Sequence, residues 1–131
     1  MPLNWTIEHE RQMVVATGEG AITGSDVIAY LEDLAAKGAM PYAKIFDLSA
    51  SRSFMDADDL EQLGVWLRTY MQQPSRIVGP LAIVVSSPEQ SVQAQFFRGS
   101  ASGKRPVEIF RDRASAEVWL QQLRDADKPQ R

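Results

Sequence analysis

The sequence predicts one α/β domain: a mixed sheet of four to five strands with helices packed on it. Three observations carry this expectation. Strand-like and helix-like patterns follow one another in the order ββαβαβαβα. Helical stripes separate the later strands, as crossover connections between parallel strands require. The run Leu81-Ala82-Ile83-Val84-Val85 is apolar without alternation, which suits an interior strand buried on both faces.

The elements justify themselves in turn. Trp5, Ile7 and His9 alternate with Asn4, Thr6 and Glu8, the period of a half-buried strand. Met13 to Thr17 reads as its hairpin partner, ended by Gly18 and Gly20. Thr23 and Asp26 form a capping pair, with Ser25 as a rival cap, before Val27, Ile28, Leu31 and Leu34 at helical spacing. Gly38 is the expected stop. Ala43 to Leu48 reads as a short central strand and Ser49 to Ser53 as a polar loop. Asp56, Asp58 and Asp59 open the next helix, where negative charge meets the positive end of the helix dipole. Leu60, Leu63, Leu67 and Tyr70 form its stripe, with Trp66 beside it. Ser87-Pro88-Glu89-Gln90 starts a third helix, with Val92, Phe96 and Phe97 read as facing inward. Gly99 to Arg105 reads as a basic loop, Val107 to Phe110 as the last strand, and Asp112 as the cap of a helix striped by Ala116, Trp119, Leu120 and Leu123. Residues 1–124 are expected to form the domain and 125–131 a polar tail.

Composition narrows the chemistry. The 131 residues include no cysteine, which excludes disulfides, thiolate catalysis and thiolate-bound metal. The net charge of −3 offers no strong positive field, so nucleic acid is not an expected partner. The N-terminus has no signal-peptide pattern, and no apolar run approaches a bilayer span. The expected location is therefore cytoplasmic.

Each candidate chemistry meets a plainer explanation. His9 is the sole histidine, and Glu8 and Glu10 should face the other side of its strand, so it reads as a rim residue. Asp56 and Asp59 share a helical face, but a hard cation needs more oxygen ligands than they supply. No metal and no cofactor is expected. The glycines of Gly18-Glu19-Gly20-Ala21-Ile22-Thr23-Gly24 are spaced one residue too long for a dinucleotide fingerprint and follow a hairpin. Ser49, Ser51, Ser86 and Ser87 lack a nearby base; with Arg52 they form a polar rim after parallel strands, where open α/β sheets bind ligands. Trp66, Tyr70, Phe96 and Phe97 read as core or as the lining of an apolar pocket. Arg98, Lys104 and Arg105 read as a solvated loop, with an anion or acidic-partner contact as the alternative.

Lys44-Ile45-Phe46-Asp47-Leu48-Ser49, followed by Phe54-Met55-Asp56-Ala57-Asp58-Asp59-Leu60, resembles the centre of a STAS domain. There a strand ending Asp-Leu-Ser leads to a Met-Asp-Ser-Ser-Gly-Leu helix start. The Ile22-Thr23-Gly24 helix entry and the stretch from Val107 to Leu120 resemble the SpoIIAA-like, STAS/SEC14-related group. The resemblance implies a regulatory or protein-interaction module. It places Asp58 where the family's phosphoacceptor serine stands, and Asp59 at its glycine. A carboxylate there carries about one negative charge where phosphoserine carries nearly two, so the switch is absent or frozen. The first expectation is thus a non-enzymatic interaction module contacting a protein partner through Ser49, Ser51, Arg52, Asp56, Asp58 and Asp59. The second, from the SEC14 relationship, is a small apolar-ligand or lipid carrier using Trp66, Tyr70, Phe96 and Phe97. A homodimer through the edge of the N-terminal hairpin is a further expectation.

Overall fold

The computed structural model describes residues 2–54, 56–73, 77–101 and 105–127. Its elements are β1 (Leu3–Glu8), β2 (Met13–Ile22), α1 (Gly24–Ala36), β3 (Ala43–Phe54), α2 (Ala57–Tyr70), β4 (Leu81–Val84), α3 (Pro88–Ala101), β5 (Val107–Phe110) and α4 (Arg113–Asp127). They form one five-stranded sheet in the order β1-β2-β3-β4-β5. The β1–β2 hairpin is antiparallel and every other pairing is parallel. The α/β order and the mixed sheet are those the sequence predicts.

Strand alternation splits the interior into two layers. Val14, Ala16, Phe46, Leu48, Leu81, Ile83 and Val107 face a larger core with Val27 and Leu31 of α1, Leu63 of α2 and Ala94 of α3. Met13, Ile45, Ala82 and Val84 face a smaller one, covered by Ala116 and Leu120 of α4. Three helices therefore lie on one face and one on the other. This is the outcome of same-handed crossovers between adjacent strands.

The caps read from the sequence are present. Thr23 and Asp26 form a capping box on α1, as do Asp56 and Asp59 on α2. Asp112 accepts from the Ser115 N–H at 2.7 Å. Gly38 follows α1 with φ +72°, a left-handed value at which glycine carries no Cβ penalty.

Four boundaries differ. β2 does not end at Gly18 but runs to Ile22, because the ladder with β3 shifts register between Thr17 and Glu19 and again between Gly20 and Ala21. Glycines at such irregularities keep a strand going rather than ending it, and Gly20 takes φ +68°. The expected loop from Ser49 to Ser53 is the continuation of β3, held by that long pairing. α3 extends through Ala101 into the expected loop, and α4 through Asp127 into the expected tail. Val92, expected to face inward, is 68% exposed on α3. The side chains of Phe96 and Phe97, and all of Lys104, lie outside the described residues.

Candidate functional site

The alternation that builds β3 also directs Lys44, Phe46 and Leu48 to the larger core. Phe46 and Leu48 belong there; Lys44 is the exception, a lysine 1% exposed in the middle of an apolar layer. Above it, Val27, Tyr30 and Leu31 of α1 and Leu63 and Leu67 of α2 form a roof. Leu81 and Ile83 of β4 complete the floor, and Arg105, just before β5, closes one side. The space between them measures about 30 Å³. That holds about two water molecules.

Three polar groups meet this apolar space. The Lys44 ammonium donates to the carbonyl of Met40 and, at 2.7 Å, to that of Tyr42. Burial, then the nearby Arg105 charge, pushes its pKa down to about 7. The Arg105 guanidinium donates to the Gly79 carbonyl at 3.3 Å, and burial lowers its pKa to about 10. The Tyr30 hydroxyl is buried with no hydrogen-bond partner among the described residues. Burial drives its pKa well above the usual tyrosine range. Its ring is fixed by edge-on contacts to Trp5 and Phe46, with centroids 5.3 and 5.6 Å away. None of the ion pairs among the described residues includes Lys44 or Arg105. Two cations thus border one small cavity with no anion among the described residues, an arrangement that costs free energy unless something compensates it. Arg105 also lines an open groove with Gln95, Arg98, Glu108 and Trp119, so it stands between cavity and exterior.

Ser49 and Ser51, expected in a rim after the strand, lie within β3, and hydrogen bonds link them to Ser86 and Gln90. Asp47 accepts from the Ser49 N–H at 2.9 Å and from its hydroxyl at 2.6 Å. The Ser51 hydroxyl donates to the Leu48 carbonyl. Ser86 donates its hydroxyl to the Ser49 carbonyl at 2.9 Å, and its N–H to Gln90 Oε1 at 2.7 Å. Gln90 Nε2 donates to the Ser51 carbonyl at 3.0 Å. Ser87 caps Gln90. This clasp ties the ends of β3 and β4 to the start of α3. Asp56 and Asp59 are occupied by their capping box, and Asp59 packs against Gly24 of α1. Arg52 and Asp58 are exposed, and Asp58 takes no part in the cap. Gln90→Ala should remove about 1–3 kcal/mol, because it strands two backbone groups in a site where Gln90 is only 9% exposed. Urea unfolding measures this, and an unchanged midpoint would mean that the clasp contributes nothing.

Other candidates fall elsewhere. Trp66 and Tyr70 stack on each other, centroids 5.5 Å apart and planes 6° from parallel, and do not line the cavity. His9 is exposed, its Nδ1 2.7 Å from the Tyr42 hydroxyl, far in the fold from the serine rim. No group of three or more His, Asp or Glu among the described residues could hold a metal ion. No described helix is long and apolar enough to cross a membrane.

Sequence reasoning missed Tyr30 and Lys44. Tyr30 was hidden in an ordinary helical stripe. Lys44 left a cue: a lysine inside an otherwise apolar central strand has no solvent-facing side to occupy. Arg105 was read chiefly as part of a solvated loop; it is partly buried against the cavity instead.

No protein-family model matches the sequence, and no curated protein matches it. Among solved structures, the chain is similar to an uncharacterized protein of the DUF3478 family with a SpoIIAA-like fold, from Shewanella loihica PV-4. The two share 15% identity and superpose with a TM-score of 0.62 over 90% of this chain and 93% of the other. At that identity the likeness speaks to architecture alone: the chain has a SpoIIAA-like fold.

Proposed function

We propose that the protein is a non-enzymatic binding module that takes a small, partly apolar molecule between α1, α2 and the sheet. One observation carries this reading: among the described residues, the apolar cavity is bordered by a buried hydroxyl with no partner and by two cations with no counter-charge. The residues expected to line a pocket were different ones, but the class of function is the second that the sequence suggested. The described lining holds no histidine, carboxylate or serine to serve as a base or nucleophile, which favours binding as the reading.

The cavity is small, and α2 is the wall that gives. α2 buries only Leu63, Gly64 and Leu67, whereas α1 buries Gly24, Val27, Tyr30, Leu31 and Leu34. Leu60, Trp66 and Tyr70 of α2 also pack on the core but only partly buried, so α2 separates at lower cost than α1, and ligand-admitting elements are drawn from the less stable parts of a fold.

Native mass spectrometry of gently purified protein, paired with its denatured mass, tests the reading. A mass lost on denaturation is the expected result, and it weighs the cargo. A bare chain that also shows no adduct with added short-chain alcohols or acids would sink the proposal. The same spectrum reads any dimer formed through the β1 edge.

A second reading keeps the outer rim as a protein-docking surface. Asp58 favours it, since its carboxylate is exposed at the α2 start while Asp56 and Asp59 do the capping. Charge complementarity there would act mainly on association rate. Asp58→Lys should then slow capture of a basic partner while leaving the fold's stability nearly unchanged; equal rates would remove this reading.

A further inference from the structure

The donors at the polar end of the cavity outnumber the acceptors. An ammonium offers three N–H groups, and Lys44 spends two, on the Met40 and Tyr42 carbonyls. A guanidinium offers five, and Arg105 spends one on a described residue, at the Gly79 carbonyl. The Tyr30 hydroxyl spends none. The rest of the lining is Val27, Leu31, Phe46, Leu48, Leu63, Leu67, Leu81 and Ile83, none of which brings a side-chain acceptor. Water would satisfy the hydrogen bonds but leave both charges uncompensated. A carboxylate does both.

We propose, building on the ligand-binding reading above, that the cavity's ligand is a monocarboxylate with a short apolar tail. Its two oxygens accept from the third Lys44 N–H, the Tyr30 hydroxyl and a free Arg105 N–H. Its tail lies against Leu31, Leu63, Leu67 and Ile83. Charge-assisted bonds of this kind are shorter and stronger than neutral ones. A phosphate suits the site less: it brings a second charge and more oxygens to desolvate against an apolar lining. Arg105 borders both the cavity and the open groove, where Glu108 pairs with Arg98 at 2.7 Å, so Arg105 is the cation the anion meets as it enters. Lys44, whose pKa is about 7 in the empty site, is charged below that pH, and above it takes up a proton as the carboxylate binds. The charged group facing it is Arg105; the Tyr30 hydroxyl on the same cavity is neutral.

Calorimetric titration of the full chain tests this, with acetate, butyrate and hexanoate beside 1-butanol, butyramide and inorganic phosphate. At pH 6.5, butyrate should bind one saturable site at least about tenfold more tightly than butanol or butyramide. Affinity should rise by about fourfold per added methylene. It should fall by about tenfold between pH 6.5 and pH 8.5, as Lys44 loses its proton before binding. Lys44→Met should abolish binding, and Tyr30→Phe should weaken it by about fivefold. If Lys44→Met does not fold, Tyr30→Phe and the pH series decide. Butanol binding as tightly as butyrate would overturn the carboxylate head group and leave the ligand-binding reading standing. Phosphate displacing butyrate at equal concentration would do the same. Failure of every compound to bind would overturn both.

Discussion

Gly79→Ala is expected to cost about 3 kcal/mol or more, the upper end of overpacking effects. Gly79 is buried, and its backbone passes directly over the turn before β3. A Cβ there would lie 2.3 Å from the Pro41 carbonyl oxygen and 2.4 Å from that of Tyr42. Real Cβ atoms do not approach backbone oxygens so closely, so one segment must move. Neither is free to do so. The Gly79 N–H donates to the Met40 carbonyl at 2.9 Å, its own carbonyl accepts from Arg105, and the Tyr42 carbonyl accepts from Lys44. One methyl group would thus disturb both cations at the cavity. Urea unfolding, with butyrate affinity measured alongside, checks the claim. A variant of wild-type stability would show that the contact between the two turns is looser than drawn.

Stability should climb from pH 7 to pH 10, by on the order of 3 kcal/mol, through Lys44. Its folded pKa is pushed down to about 7 from a usual 10.5. Below pH 7 the lysine is charged in both states, and folding bears the whole cost of burying it. Between pH 7 and 10.5 the unfolded chain binds more protons than the folded one, so raising the pH favours folding. Near pH 10 two further groups enter with opposite signs. Tyr30 stays protonated when folded, so ionisation of the unfolded tyrosine lowers stability. Arg105, lowered to about 10, raises it. Asp33 and Asp112, whose carboxyls hydrogen bonds hold below the usual range, act only in acid. Urea midpoints at pH 7, 8, 9 and 10 give the slope, and Lys44→Met should flatten it. Equal slopes in the two proteins would relieve Lys44 of this role.

The sequence was most legible where one residue type has one local explanation. Thr23, Asp56 and Asp112 announced their caps because a side-chain oxygen at a helix start has a specific N–H to meet. Leu81 to Val84 announced an interior strand. Legibility failed where tertiary pairing overrode local preference. Gly18 and Gly20 look like a strand end, and Ser49 to Ser53 looks like a loop. Each segment is a strand because the other is there to pair with it. The candidate site was harder still. The polar atoms of Ser49 and Ser51 are committed to turns and clasp, and those of Asp56 and Asp59 to a cap. The cavity needs Tyr30, Lys44 and Arg105 from three separate segments, and no spacing within any of them reveals that the three meet.

The sequential strand order bears on how the chain assembles. Every pairing joins strands that are neighbours in the chain, so each new unit finds its partner already made, and loop-closure costs stay low. A ribosome can therefore lay down the sheet from one edge to the other as it translates. The smaller core is the exception to this step-by-step growth. Met13, Ile45, Ala82 and Val84 collect on a face that only α4, the last element, covers. Until α4 docks, the nascent sheet shows an apolar surface to any chaperone or neighbouring chain, and that interval is when the protein is most exposed to aggregation.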